Sequence, residues 1–155
     1  ALFEYCYLPE FPQVVRSLRD HYQGSMEAFW EDFRSRPGIS KPSDAALINS
    51  YAMAACYSAR DGGVPELPFD PVTGGIRPLV WERWLDWDPV RMVARRQQAA
   101  RSLRAVYLDG GRHDEYFLEV GAGAFKAALE AVGVKGVHLE LFDAGHGGIE
   151  YRYPV

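Results

Sequence analysis

The chain has 155 residues, 48% of them hydrophobic and 14% aromatic, which suffices for one globular domain with a buried core and excludes a disordered segment. Its 17 basic and 21 acidic side chains are intermixed and leave a formal charge of −4, so the basic footprint of a nucleic-acid binder is absent. No apolar run reaches the roughly 20 residues of a membrane-crossing helix, and the two cysteines, Cys6 and Cys56, lack the spacing of a redox pair or a metal knuckle and read as buried thiols.

The opening residues 1–13, ALFEYCYLPEFPQ, carry no initiator Met, basic leader or small-residue cleavage pattern, and read as the middle of a longer chain. Two amphipathic helices follow. PQVVRSLRDHY sets Val14, Val15 and Leu18 at helical spacing, and SMEAFWEDFRSR does the same with Met26, Phe29, Trp30 and Phe33, with Gly24 between them and Ser25 as the N-cap of the second. RPGISKP ends that helix. SDAALINSYAMAACYSA is apolar nearly all round and predicts a largely buried helix. RDGGVPELPFDPVTGGIRP, crowded with prolines and glycines, predicts a loop. PLVWERWLDW then starts a helix with Pro78 at its first position, and DPVRMVARRQQAARSL starts another with Asp88 as N-cap and Pro89 behind it. Trp81, Trp84 and Trp87, three residues apart, read as a core-facing stripe.

From residue 103 the pattern changes. LRAVYLDGG is a short run of β-formers ending in two glycines, which suits a buried parallel strand. YFLEVGAGAFKAALEAVGV places Phe117, Val120, Ala124, Phe125, Ala128 and Val132 on one helical face and closes at Gly133. VHLELFDAGHGG is a second strand running into a glycine loop, and the three together predict a βαβ unit. The expected division is residues 1–100, helical, and 101–155, βαβ.

Ligands of an open parallel sheet sit beyond the carboxyl ends of its strands. Both ends here are rich in ionisable groups: His113, Asp114 and Glu115 after the first strand, Asp143 and His146 after the second. A carboxylate bonded to one imidazole nitrogen fixes the tautomer and leaves the other nitrogen free to take a proton. Glycines around His146 let the backbone approach a substrate. Asp114 also stands where a helix N-cap would, Glu115 is an alternative acid, and His113 beside Asp114 is a weak metal-ligand candidate without a second histidine at ligand spacing. His21 and His138 read as surface or supporting residues, and Glu150, Tyr151 and Tyr153 as packing or a pocket wall.

YLDGGRHDEYF and ELFDAGHGGIEYRYP resemble the acid and histidine segments of the esterase family of α/β-hydrolases that includes S-formylglutathione hydrolases, enterochelin esterases, feruloyl esterases and mycolyltransferases. The resemblance covers residues 103–153 well and residues 1–100 more weakly. It implies that the D-x-G-x-x-D pattern of Asp109, Gly111 and Asp114 makes Asp114 the triad acid and Asp109 a structural turn residue, with His146 as the triad histidine. The implied fold is α/β: the C-terminal part of an α/β-hydrolase parallel sheet preceded by a helical lid or cap region. That family carries its nucleophile in a G-x-S-x-G elbow ahead of both segments, and no G-x-S-x-G occurs in the 155 residues; QGSMEA, with Ser25, lacks the second glycine and a preceding strand.

Two functions are therefore expected. In the first, a serine outside this chain attacks a small-molecule ester, with His146 as base and then acid and Asp114 orienting it, and with no cofactor, metal, nucleic acid or membrane involved. In the second, the chain is a non-catalytic module that keeps the hydrolase framework for binding or assembly. An uncovered apolar sheet face and strand edge would drive self-association. The ester's identity is not legible.

Overall fold

The computed structural model describes residues 3–153. In chain order the helices are α1 (Phe3–Cys6), α2 (Phe11–Tyr22), α3 (Met26–Arg34), α4 (Asp44–Tyr57), α5 (Pro78–Leu85), α6 (Pro89–Arg95), α7 (Gln97–Arg101) and α8 (Leu118–Ala131). The strands are β1 (Val106–Gly111) and β2 (Val137–Phe142). The chain forms two compact units, one of residues 9–85 and one of residues 1–8 with 86–155. The division thus falls at 85/86 instead of 100, because α6 and α7 donate Val93 and Ala100 to the core around α8.

The helical unit is built on α2, whose apolar spacing buries Phe11, Val14, Val15 and Leu18. Ser25 caps α3 as its sequence predicts, its Oγ accepting the Ala28 N–H at 3.0 Å. The Phe11 ring lies tilted against Phe69, with centroids 4.6 Å apart, and meets Trp84 edge-on at 6.1 Å. Trp84 is fully buried, with its indole N–H bonded to Ser58 Oγ at 2.7 Å, which satisfies the polar end that burial would otherwise strand. Trp81 lies at the margin of this cluster, but Trp87 follows the end of α5 and is 59% exposed, so the expected tryptophan stripe stops at Trp84.

Two further expectations differ from the structure, while the expected loop before α5 holds. Helix α4 buries only Asp44, Leu47, Ser50 and Ala54, one narrow face, so its small residues leave most of the helix and Cys56 at the surface. The loop before α5 is ordered by Asp70, whose carboxylate takes the Val72 and Thr73 N–H groups at 2.9 and 2.8 Å, and it buries Leu67, Pro68 and Phe69. The single helix expected from residue 89 to 103 breaks at Arg96, where the backbone leaves helical geometry (φ −122°, ψ 36°) between α6 and α7. Asp88 caps α6 as expected, accepting from Val90 N–H at 2.9 Å.

The second unit is mixed α/β, a two-stranded parallel sheet. β1 and β2 pair from Val106↔Val137 to Gly111↔Phe142, with α8 as the crossover. Gly133, with φ at +85°, closes α8: its N–H reaches the Glu130 carbonyl at 2.9 Å while Val134 N–H reaches Leu129 at 3.0 Å. Val106 and Val137 on one sheet face pack with Phe125, Ala128 and Leu129 of α8. The other face is polar. Tyr107 stacks on His138 at 5.2 Å, Glu140 pairs with Arg152 at 2.7 Å, and the Arg152 guanidinium lies 3.8 Å over the Phe142 ring. The strands therefore alternate apolar and polar, V-Y-L-D and V-H-L-E, with α8 on one side and Arg152 and Tyr153 reaching over the other. They are not the doubly buried strands expected, and the uncovered face is not apolar. Asp109 likewise sits within β1 and not in a turn, where it accepts the Tyr153 hydroxyl at 2.6 Å.

Candidate functional site

The carboxyl ends of β1 and β2 are drawn together by their glycines. Arg112 N–H bonds to Phe142 O at 2.8 Å and His113 N–H to Ala144 O at 3.0 Å, so the two loops continue the sheet for one step before diverging. Gly111 makes this approach feasible: a Cβ there would run into the carbonyl oxygens of Ala144 and Gly145.

Past this contact, Asp114 and His146 meet. Asp114 Oδ2 lies 3.0 Å from His146 Nδ1, with the carboxylate 4% exposed and the imidazole 50% exposed. The other carboxylate oxygen, Oδ1, accepts the Tyr116 backbone N–H at 2.8 Å, which locks the aspartate into a local Asx turn. Asp114 does not cap α8. Phe117 occupies that N-cap in a left-handed conformation (φ 59°), and no side chain caps the helix.

Two more groups fix the histidine. Glu115 Oε2 accepts the His146 backbone N–H at 2.8 Å, and this bond holds the Glu115 carboxyl below the usual glutamate range. The Tyr116 ring presents itself edge-on to the imidazole, with centroids 4.9 Å apart. Among the described residues, no group is hydrogen bonded to His146 Nε2.

The chemistry of this arrangement follows from donor and acceptor counting. An ionised carboxylate only accepts, so the bond to Asp114 places a proton on Nδ1 and leaves the Nε2 lone pair free to receive one. The imidazolium formed on proton uptake would be stabilised by the buried carboxylate beside it.

Of the residues expected at this edge, Asp114 and His146 come together, and Glu115 joins them through the main chain and not as the acid. His113 and Asp143 turn away and pair with each other at 3.1 Å on the surface, 73% and 93% exposed. Among the described residues, no group of three His, Cys, Asp or Glu side chains is arranged to hold a metal ion. Ser25 lies in the helical unit as the cap of α3. Of the two histidines read as surface or supporting residues, His21 is exposed on α2, and His138 lies exposed on the polar sheet face.

Sequence reasoning passed over Tyr116, which adjacency to Asp114 could have flagged, and Cys6, which no local signal connects to this site. Cys6 is buried, with its thiol directed at the Phe117 carbonyl at 3.7 Å. Burial, reinforced by the nearby negative charge of Asp114, pushes the thiol up to about 11, so it is neutral at pH 7 and unsuited to nucleophilic attack. A groove of about 950 Å³ in the helical unit, lined by Arg16, Asp20, His21 and Lys41 among others, contains neither Asp114 nor His146. No helix among the described residues is long and apolar enough to cross a membrane. No protein-family model matches the chain, and no curated protein matches it.

Proposed function

We propose that this chain supplies the acid and base of a serine carboxylic-ester hydrolase whose nucleophile lies outside residues 1–155. The observation that carries the reading is the pair itself: a buried carboxylate 3.0 Å from Nδ1 of a half-exposed imidazole whose Nε2 has no hydrogen-bond partner among the described residues. A buried aspartate beside a half-exposed imidazole is what a general base needs, because the orienting charge stays out of water while the ring remains accessible to reactants. The place of the pair at the carboxyl ends of two parallel strands, and the resemblance of YLDGGRHDEYF and ELFDAGHGGIEYRYP to the acid and histidine segments of esterases, support the same reading.

In this mechanism a serine hydroxyl gives its proton to His146 Nε2 as its oxygen attacks the ester carbonyl. The imidazolium then returns the proton to the departing alkoxide, which leaves an acyl-enzyme. Water attacks that acyl group with His146 again as base, releasing the acid and restoring the serine. Asp114 remains ionised and holds the Nδ1 proton throughout.

The test is hydrolysis of p-nitrophenyl acetate and butyrate by the complete gene product, with a G-x-S-x-G serine in its sequence replaced by Ala in parallel. His146→Ala and Asp114→Asn are each expected to lower kcat by about 10³–10⁴-fold. Wild-type rates in both variants, or a complete product without a nucleophile and without activity, would overturn the reading in favour of a binding module.

A further inference from the structure

The geometry points to Glu115 as a positioning residue that sets the place of His146 by gripping its main chain, and this assignment takes its catalytic meaning from the function proposed above. The loop that carries His146 has glycines at 145, 147 and 148, a run with few intrinsic restraints and a large ordering entropy. The Asp114 bond to Nδ1 fixes how the ring is turned but acts at the end of a side chain with two rotatable bonds. It leaves the Cα of His146 some freedom to move, since the loop's other main-chain anchor, His113 N–H to Ala144 O, lies two residues ahead. Glu115 removes that freedom: Oε2 accepts the His146 N–H at 2.8 Å, and the same oxygen lies 3.0 Å from where a Cβ on Gly145 would stand, so the carboxylate sits against the loop just ahead of the histidine. Tyr116 adds an edge-on contact to the ring at 4.9 Å.

Three consecutive residues, Asp114, Glu115 and Tyr116, thus hold three different parts of one histidine: its Nδ1, its main-chain N–H and its ring. Glu115 is not a spare acid. Its bonded oxygen is committed to the backbone, and Nδ1 is already taken by Asp114. A proton acceptor displaced by about 1 Å can cost on the order of 10²-fold in rate without any change in substrate affinity, so Glu115 should act on kcat and leave KM alone.

The test compares Glu115→Ala, which removes the acceptor, with Glu115→Gln, whose amide oxygen can still accept, in the complete gene product. Two readouts are taken: ester hydrolysis, and NMR of protein labelled with ¹⁵N-histidine, which observes the His146 backbone amide and the Nδ1 proton. Expected for Glu115→Ala are a kcat lower by about 10–10²-fold with KM within about twofold, an upfield shift of the His146 amide proton, and a Nδ1 proton broadened by ring motion. Glu115→Gln should restore the amide shift and most of kcat. A His146 amide and Nδ1 proton unchanged in Glu115→Ala would overturn the assignment, whatever the activity. If the protein hydrolyses no ester, the NMR arm still decides whether Glu115 positions the histidine, while the esterase reading fails separately.

Discussion

Gly111 shows how one missing methyl group sets the geometry of the candidate site. At this position β1 ends against the carbonyls of Ala144 and Gly145, and the loop bearing His146 reaches Asp114 only because no Cβ intervenes. Gly111→Ala must push the 144–145 segment away, so the Asp114–His146 bond is expected to break while α8 and the sheet persist. NMR would show loss of a protected Nδ1 proton, and ester hydrolysis by the complete gene product should fall about as far as in His146→Ala, since a misplaced base is a lost one. The G-G at the end of the strand pattern was legible as a break, and Asp114 and His146 were legible as a pair across two strand ends. Which glycine faces the neighbouring loop was not, because that depends on the β1–β2 register, and a shift of one residue would turn Gly110 there instead.

Local signals marked the helices well where the backbone itself settles the matter. Ser25, Asp88 and Gly133 act at the helix ends where their side chains or positive φ place them. Ser25→Ala should destabilise the helical unit by about 1 kcal/mol, read from the urea midpoint of tryptophan fluorescence. A midpoint identical to wild type would mean that the cap bond to Ala28 contributes nothing. Leu129 on α8 is 1% exposed at the centre of the second core. Leu129→Ala is expected to cost about 3 kcal/mol, within the range for a cavity of that size, with the denaturant slope unchanged in circular dichroism.

The start of α4 carries a pH dependence. The Arg36 guanidinium, joined by the Ser40 and Lys41 backbone N–H groups, holds the Asp44 carboxyl far below the usual aspartate range despite its burial. Because the folded value is depressed, the stabilisation is fully present above the unfolded value of about 3.9 and is lost as pH falls through and below it. The fluorescence melting temperature should therefore drop between about pH 5 and 2, and Asp44→Asn should lower it at pH 7 and flatten that acid limb. An unaltered acid limb in the variant would assign the loss to other carboxylates. Nothing in the local sequence announced this cluster, since Arg36 opens the tract RPGISKP, read only as a helix break, and Asp44 lies beyond it.

Taken whole, the chain is two compact units, and the sheet of the second has two strands with free outer edges among the described residues. Association was expected from an uncovered apolar face, but that face carries Tyr107, Asp109, His138 and Glu140, tied to Arg152 and Tyr153. What remains to drive association is the unpaired backbone of the edges. Sedimentation velocity should accordingly detect association in the micromolar range that persists in high salt, and a clean monomer at those concentrations would show the edges to be protected.

The amino-acid pattern was enough for what short-range chemistry controls: the helix caps, the βαβ order, and the histidine and carboxylate at adjacent strand ends. The boundary between the units, the shallow burial of α4 and the break at Arg96 depend on which surfaces meet after folding. The polar outer face of the sheet was written in the alternation V-Y-L-D and V-H-L-E, the pattern of a strand covered on one side, whereas Glu115 reads as an acid until the fold sets the His146 main chain against it.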